Sequence, residues 1–305
     1  MLTEIYVDVD DFCKAHRVLL QKALALTGFC RKLYPCQLTL SEVMTILIGY
    51  HLSPYKTFKG YYTSYIAGER RRDFPDLVSY ERFVGLTVRA LLPLMAYLTY
   101  RCRRSLRTGL YFIDSTPVAV SEPRRAHQHR VFAGLARWGK NSTGWFFGFK
   151  LHLVVNNLGQ LVHHKLTHAS VHDTHPKVLF ELTDDLAGWV FGDRGYLLHP
   201  EKQAFVEEQG RLCFVAKTRA KSKAKDLPMQ AKKWAKKRPL IETVIGHCKQ
   251  VGNLEHTRHR SPRHGVVNVY ACLVAYTFHQ RTPTAWVNLA DRSLKAPGDS
   301  FALAA

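Results

Sequence analysis

The hydrophobic pattern of this chain changes its period once, at Gly109, and the change confines it to a helical segment followed by a mixed α/β segment. Upstream, Asp10 to Thr27 and Thr39 to His51 carry apolar residues three and four positions apart, the spacing of one helix face. Thr39-Leu40-Ser41-Glu42 has capping-box spacing, in which the hydroxyl accepts an early backbone N–H and the glutamate reaches back. A second helix start is expected at Ser79, after the turn holding Pro75, leading into Tyr80 to Leu92 and then Leu94 to Arg104. Strand-like alternation is absent here, so residues 1–108 read as a small all-helical domain.

Downstream, strand and helix patterns succeed one another. Leu110-Tyr111-Phe112-Ile113 is a short apolar run of buried-strand type that ends directly on Asp114. Trp145 to Asn156 reads as a second strand, Asn157-Leu158-Gly159 as a turn, and Gln160 to Thr167 as its hairpin partner. Pro176 to Leu186 is expected to be helical, Trp189-Val190-Phe191 a strand ending at Gly192-Asp193, Pro200 to Gln209 a helix, and Leu212 to Ala216 a strand. Helices over Arg238 to Val251 and Val266 to Gln280 complete the series. Strand, hairpin, helix, strand, helix, strand, helix is the succession of a ribonuclease H-like α/β fold, a mixed sheet flanked by helices. The expected organisation is a helical domain over 1–108, an α/β domain over 109–280 with a basic insertion at 217–238, and a C-terminal tail over 281–305.

Charge narrows the partner. Lys and Arg number 44 against 24 Asp and Glu, a net charge of +20, which gives long-range attraction to phosphate and favours nucleic acid. Arg70, Arg71, Arg72, Arg101, Arg103, Arg104 and Arg107 lie in the helical segment, as phosphate contacts or as solvated surface. The apolar runs are interrupted by charges before the roughly 18 residues expected of a membrane span. Acids at Glu4, Asp8, Asp10 and Asp11 stand where a signal peptide would be basic. Seven cysteines, odd in number and without a Cys-x-x-Cys pair, suggest neither a disulfide framework nor a zinc ribbon. A cytoplasmic protein is the expectation.

Three acids stand out by position. Asp114 and Asp193 each follow a strand, and Glu242 lies on a helix near the end of the α/β segment. Carboxylates held by a packed sheet and joined by one from a flanking helix can converge, and hard divalent cations take such oxygen ligands together with substrate phosphate oxygens. Three acids suit a site with two ions for phosphoryl transfer. Each acid alone would more often be structural. Arg238, Glu242 and Lys249 fall at i, i+4 and i+11, within about 60 degrees of one another on one helix face. That spacing admits an exposed salt bridge as readily as a metal-binding glutamate flanked by cations that hold a DNA backbone. Asp173 reads as the N-cap of the helix from Pro176, with a further ligand as the alternative. Asp184 and Asp185 need no role beyond solvation.

From about Leu38 to Gln280 the sequence resembles the DDE transposases of bacterial insertion sequences, and within them the insertion sequence 982 group. The resemblance rests on Tyr111-Phe112-Ile113-Asp114-Ser115-Thr116-Pro117, Gly144-Trp145-Phe146-Phe147-Gly148-Phe149-Lys150-Leu151-His152, Gly192-Asp193-Arg194-Gly195-Tyr196, Arg238-Pro239-Leu240-Ile241-Glu242-Thr243 and Glu255-His256-Thr257-Arg258-His259-Arg260-Ser261. It implies that Asp114, Asp193 and Glu242 are the catalytic acids and hold Mg2+ or Mn2+, two ions per site. It also implies double-stranded DNA as partner, both terminal inverted repeats and target, handled by a homodimer or larger assembly. Arg238 and Lys249 match the arginine and lysine of a wider family pattern, while its tyrosine position is Ala235, with Trp234 beside it. The weighed alternatives are a nuclease of the same fold without strand transfer and a non-catalytic DNA-binding derivative.

Ten basic residues and one acid, Asp226, lie between Lys217 and Arg238, so the insertion is expected to touch DNA. Lys217, Arg219 and Lys221, together with Arg194 and Lys150, join Arg238 and Lys249 as expected DNA contacts. Trp234 is expected to pack on the core. The many histidines show no regular zinc-ligand spacing, and Ser115 and Thr116 lack a nucleophile elbow or a defined histidine partner.

Overall fold

The computed structural model describes residues 1–26, 37–196, 212–216, 229–255 and 259–279. Contacts divide the chain into two compact units, Met1–Arg101 with His247–Gln280, and Cys102–Gly246. The helix expected to close the α/β domain is therefore grouped with the N-terminal helices. Its sequence explains why. This helix, Pro262–Phe278, is buried at Gly265 and at every position from Val267 to Ala275, so its apolar surface goes all round and suits a helical surrounding better than one sheet face.

In the first unit, α1 (Leu2–Ala15) and α2 (Arg17–Leu26) replace the single helix expected from Asp10. The break falls at His16, where the backbone leaves helical values at φ −109 and ψ 16. The capping box of α3 (Leu40–His51) forms as expected, with Glu42 N–H donating to Thr39 Oγ1 at 3.2 Å and Thr39 N–H to Glu42 Oε2 at 2.7 Å. A short turn, α4 (Phe58–Gly60), runs into a π-helix at Tyr61–Glu69. Ser79 caps α5 (Tyr80–Thr87), and a 3-10 turn at Val88–Ala90 separates it from α6 (Leu91–Arg103). Tyr80–Arg103 is long and apolar enough to cross a membrane by length and composition, contrary to the reading of its charges, with 44% of its most apolar window buried within the protein. Two of the arginines proposed for phosphate are tied internally: Arg101 to Asp8 and Thr277, and Arg70 to Asp73.

The second unit is built on a mixed sheet. Its strands are β1 (Leu110–Ser121), β2 (Arg137–Asn141), β3 (Gly144–Asn156), β4 (Leu161–His168), β5 (Gly188–Gly192) and β6 (Leu212–Ala216). β3 pairs antiparallel with β1, and its other edge takes β2 near its start and β4 further along. β5 runs parallel to β1 and β6 parallel to β5. The helix α7 (Pro176–Thr183) packs Val178, Leu179 and Leu182 on Tyr111, Ile113, Val154 and Val190 of one sheet face. Two helices follow, α8 (Met229–Ala235) and α9 (Pro239–Gln250); the 17-residue helix of the first unit is then α10 (Pro262–Phe278). β2 and α8 were not foreseen in the sequence. The expected helix over 200–209 and the tail over 281–305 lie outside the described residues.

Candidate active site

Asp114 sits within β1, whereas its sequence suggests a strand end. The antiparallel partner explains the difference: β3 stays in register past Asp114↔Leu153 as far as Ala119↔Gly148. The parallel partner does stop, its last pair being Phe112↔Phe191. Asp114 therefore lies two residues beyond the end of the β1–β5 ladder, and Asp193 directly follows β5. The carboxyl ends of neighbouring parallel strands are where an open α/β sheet leaves its crevice.

The guanidinium of Arg238 brings the third acid to these two. Its Nη2 stands 2.9 Å from Asp114 Oδ2 and 3.9 Å from Asp193 Oδ2, and its Nη1 2.7 Å from Glu242 Oε1. Arg238 directly precedes α9, which begins at Pro239 and carries Glu242 in its first turn, so the i,i+4 pair expected from the sequence forms and reaches further than a surface bridge. Side-chain exposure is 17% for Arg238 and 18% for Asp114, against 50% for Asp193 and 57% for Glu242, so the cluster opens to solvent on the side of the last two. Burial pushes the Asp114 carboxyl up to about 6; Arg238 and the Ser115 N–H bond oppose the rise, while Asp193 and Glu242 add to it.

Three carboxylates gathered on one positive charge form the all-oxygen donor set that Mg2+ or Mn2+ takes, and the residues fit such an ion chemically. In this arrangement the charge is the arginine's. Among the described residues, no three acid, imidazole or thiol side chains form a ready ion-binding group.

The opposite face of β1 carries a second polar cluster that sequence reasoning missed. Side chains alternate along a strand, so Ser115 points away from Asp114, and its cross-strand neighbours His152 and Lys150 (opposite Pro117) share its face. Ser115 Oγ donates to Asp173 Oδ1 at 2.7 Å, and Lys150 Nζ lies 3.2 Å from the same oxygen while donating to the Val171 carbonyl at 2.9 Å. Asp173 is thus not the helix cap. The cap position of α7 is His175, which makes no side-chain cap bond. Lys150 is 9% exposed and turned inward, which corrects its assignment as a DNA contact. His152 is fully buried, donating or accepting at Thr167 Oγ1 at 3.0 Å, and burial pushes its imidazole down to about 4.

The remaining expected contacts divide. Lys249 pairs with Glu255, so its charge is engaged locally. Trp234 is 4% exposed and meets Trp189 edge to face at 5.9 Å, the core packing expected of it. Asp185 is not merely solvated, since it pairs with Arg107 and His163. Lys217, Arg219 and Lys221, and the side chain of Arg194, lie outside the described residues.

No curated protein matches the chain. A family model described as "Transposase DDE domain" matches residues 104–262, more than half of the 305 residues and a span that includes all three acids and Arg238. The chain belongs to the DDE transposases.

Proposed function

We propose that this protein is the transposase of an insertion sequence of the 982 type, which binds the terminal inverted repeats of its element, cleaves the DNA there and joins the ends to a target. The observation that carries the reading is the convergence of Asp114, Asp193 and Glu242 on one cation, at the crevice end of two parallel strands. Asp114, Asp193 and Glu242 would hold two divalent ions, Mg2+ or Mn2+. Such ions supply a water or 3'-hydroxyl of lowered pKa and charge stabilisation at the leaving oxygen.

The chain's own residues orient this chemistry. The β1 ladder fixes Asp114, and the Ser115 N–H, at 2.8 Å, holds its Oδ1. Asp193 and Glu242, the more exposed pair, face the side from which a DNA backbone arrives. Arg238 would turn from the acids to a phosphate when the ions enter, keeping its charge in the site to balance the developing negative charge. The assembly would be a homodimer or larger complex on DNA, working in the cytoplasm.

The test is transposition of a marked element by wild type and by Asp114→Ala, Asp193→Ala and Glu242→Ala. Loss of transposition in all three, with DNA binding retained, is the expected result; undiminished activity in any of them overturns its assignment. Joining of a cleaved end to a target plasmid separates a transposase from a nuclease of the same fold.

A further inference from the structure

The β2–β3 hairpin has two unlike faces. Direct cross-strand partners share a face, and the register pairs Trp138 with Phe147 and Lys140 with Trp145. One face therefore presents Trp138, Lys140, Trp145 and Phe147, and the other presents Gly139 and Phe146. The second face is packed: Phe146 is 8% exposed, and a Cβ at Gly139 would stand 2.6 Å from the Ala169 carbonyl oxygen. The first face is open, with Trp138 43% and Trp145 60% exposed. Lys140 Nζ lies 5.7 Å from the centroid of the Trp145 ring, and Trp138 meets Phe147 edge to face at 5.6 Å. The tip is a two-residue turn in which Asn141 Oδ1 accepts from both the N–H and the hydroxyl of Thr143, so the indoles stand on an ordered support.

The segment of chain that carries this face has charge of one sign. From Pro123 to His172 the sequence has no acidic residue and seven Lys or Arg, of which Arg124, Arg125, Arg130, Arg137 and Lys140 are exposed. Two exposed indoles with a lysine between them, in an acid-free segment, offer π-faces for bases and cations for the phosphates joining them. Bases inside a duplex are held by pairing as well as by stacking, whereas an unpaired base can turn its face to an indole at lower cost.

We infer that the Trp138–Lys140–Trp145 face of the β2–β3 hairpin is a binding surface for unpaired DNA, stacking bases on the indoles of the unit that also carries the acid site. The inference rests on the transposase reading and adds a strand-state preference to it. It accounts for two indoles left open to solvent where the opposite face of the same hairpin is closed.

The experiment measures binding of the full-length protein, in EDTA, to a fluorescent oligo-dT strand and to a blunt duplex of equal length. Wild type is expected to bind both, with intrinsic tryptophan fluorescence quenched by the single strand. Trp138→Ala with Trp145→Ala is expected to lose about ten- to hundredfold in affinity for the single strand and about twofold or less for the duplex. The single variant Trp145→Phe should keep most of the affinity, and Trp145→Ala alone, at the more exposed ring, should show the loss if the double variant does not fold. Equal affinity changes on both DNAs, or none, overturn the proposal. So does a change of sedimentation from larger to smaller species with DNA affinity unaltered, which would make this face a contact between copies of the chain. Asp114→Asn keeps the strand preference in this assay while failing in transposition, so loss of cleavage and loss of base stacking are read separately.

Discussion

The Arg238 guanidinium lies 2.9 Å from the Asp114 carboxylate, so a cation supplied by the chain already occupies the meeting point of the acids. The same group reaches Glu242 at 2.7 Å. A divalent ion placed among these carboxylates must displace the guanidinium or share its ligands, and either competes with binding. Arg238→Gln is therefore expected to bind Mn2+ about three- to tenfold more tightly than wild type by calorimetry, the scale of about 1 kcal/mol for a partly exposed ion pair. The same variant is expected to lose transposition. Weaker Mn2+ binding would instead make Arg238 the group that gathers the acids, and the competition account would fail.

Asp114 makes stability depend on pH in a direction opposite to that of carboxylates whose ion pairs lower their pKa. Its folded value near 6 exceeds the ordinary 3.8, so the folded state holds the proton more tightly than the unfolded chain does. The cost of burying the ionised form is absent below about pH 4, grows between pH 4 and 6, and is complete above, at about 2 to 3 kcal/mol. Asp114→Asn removes that cost. In urea unfolding with EDTA present, the variant is expected to be more stable than wild type at pH 7.5 and equal to it near pH 4. A variant no more stable at pH 7.5 would show that Arg238 compensates the charge fully.

Lys150 separates a DNA contact from a structural one. It donates to the Val171 carbonyl and pairs with Asp173 from a position 9% exposed, leaving no free route to a phosphate. Lys150→Met strips Asp173 of its cation and is expected to cost about 2 kcal/mol, moderated by the partial exposure of Asp173. The slope of DNA affinity against salt should not change, because no phosphate contact is lost. A slope reduced by about one would restore Lys150 to the DNA interface.

These residues show what the sequence could carry. The strands of the sheet were legible because their apolar runs are short, aromatic or β-branched, and bounded by Gly or by polar turns; β2 was not, because Arg137-Trp138-Gly139-Lys140-Asn141 buries only its glycine. The three acids were singled out by the motifs around them, and all three reach Arg238 in the structure. The place of Arg238 among all three was not, since helical spacing links it only to Glu242, and Asp114 lies 124 positions away in the chain. Lys150 and Asp173 were misread for a related reason: a lone lysine in a strand looks like surface, and an acid shortly before a helical proline looks like a cap. Only strand parity, with Lys150 and Ser115 on one face, brings them together.

Gly192 tests how tightly the second aspartate is held. A Cβ built there would lie 2.8 Å from the Tyr196 Cβ, closer than packed carbon atoms tolerate, and 3.3 Å from Ile113 Cγ2, a tight contact. Tyr196 is 1% exposed and belongs to the core beneath α7, so it cannot swing into solvent. The strain of Gly192→Ala must then move either β5 or the 3-10 turn Arg194–Tyr196, and Asp193 lies between the two. Overpacking of this kind costs about 1 to 3 kcal/mol, while a displacement of about 1 Å at a reacting centre costs about a hundredfold in rate. The variant is expected to fold with a modestly lowered midpoint in urea and to lose far more activity than its stability explains, with Mn2+ binding weakened in parallel. Full activity at reduced stability would mean that Asp193 does not depend on the packing of Gly192 against Tyr196.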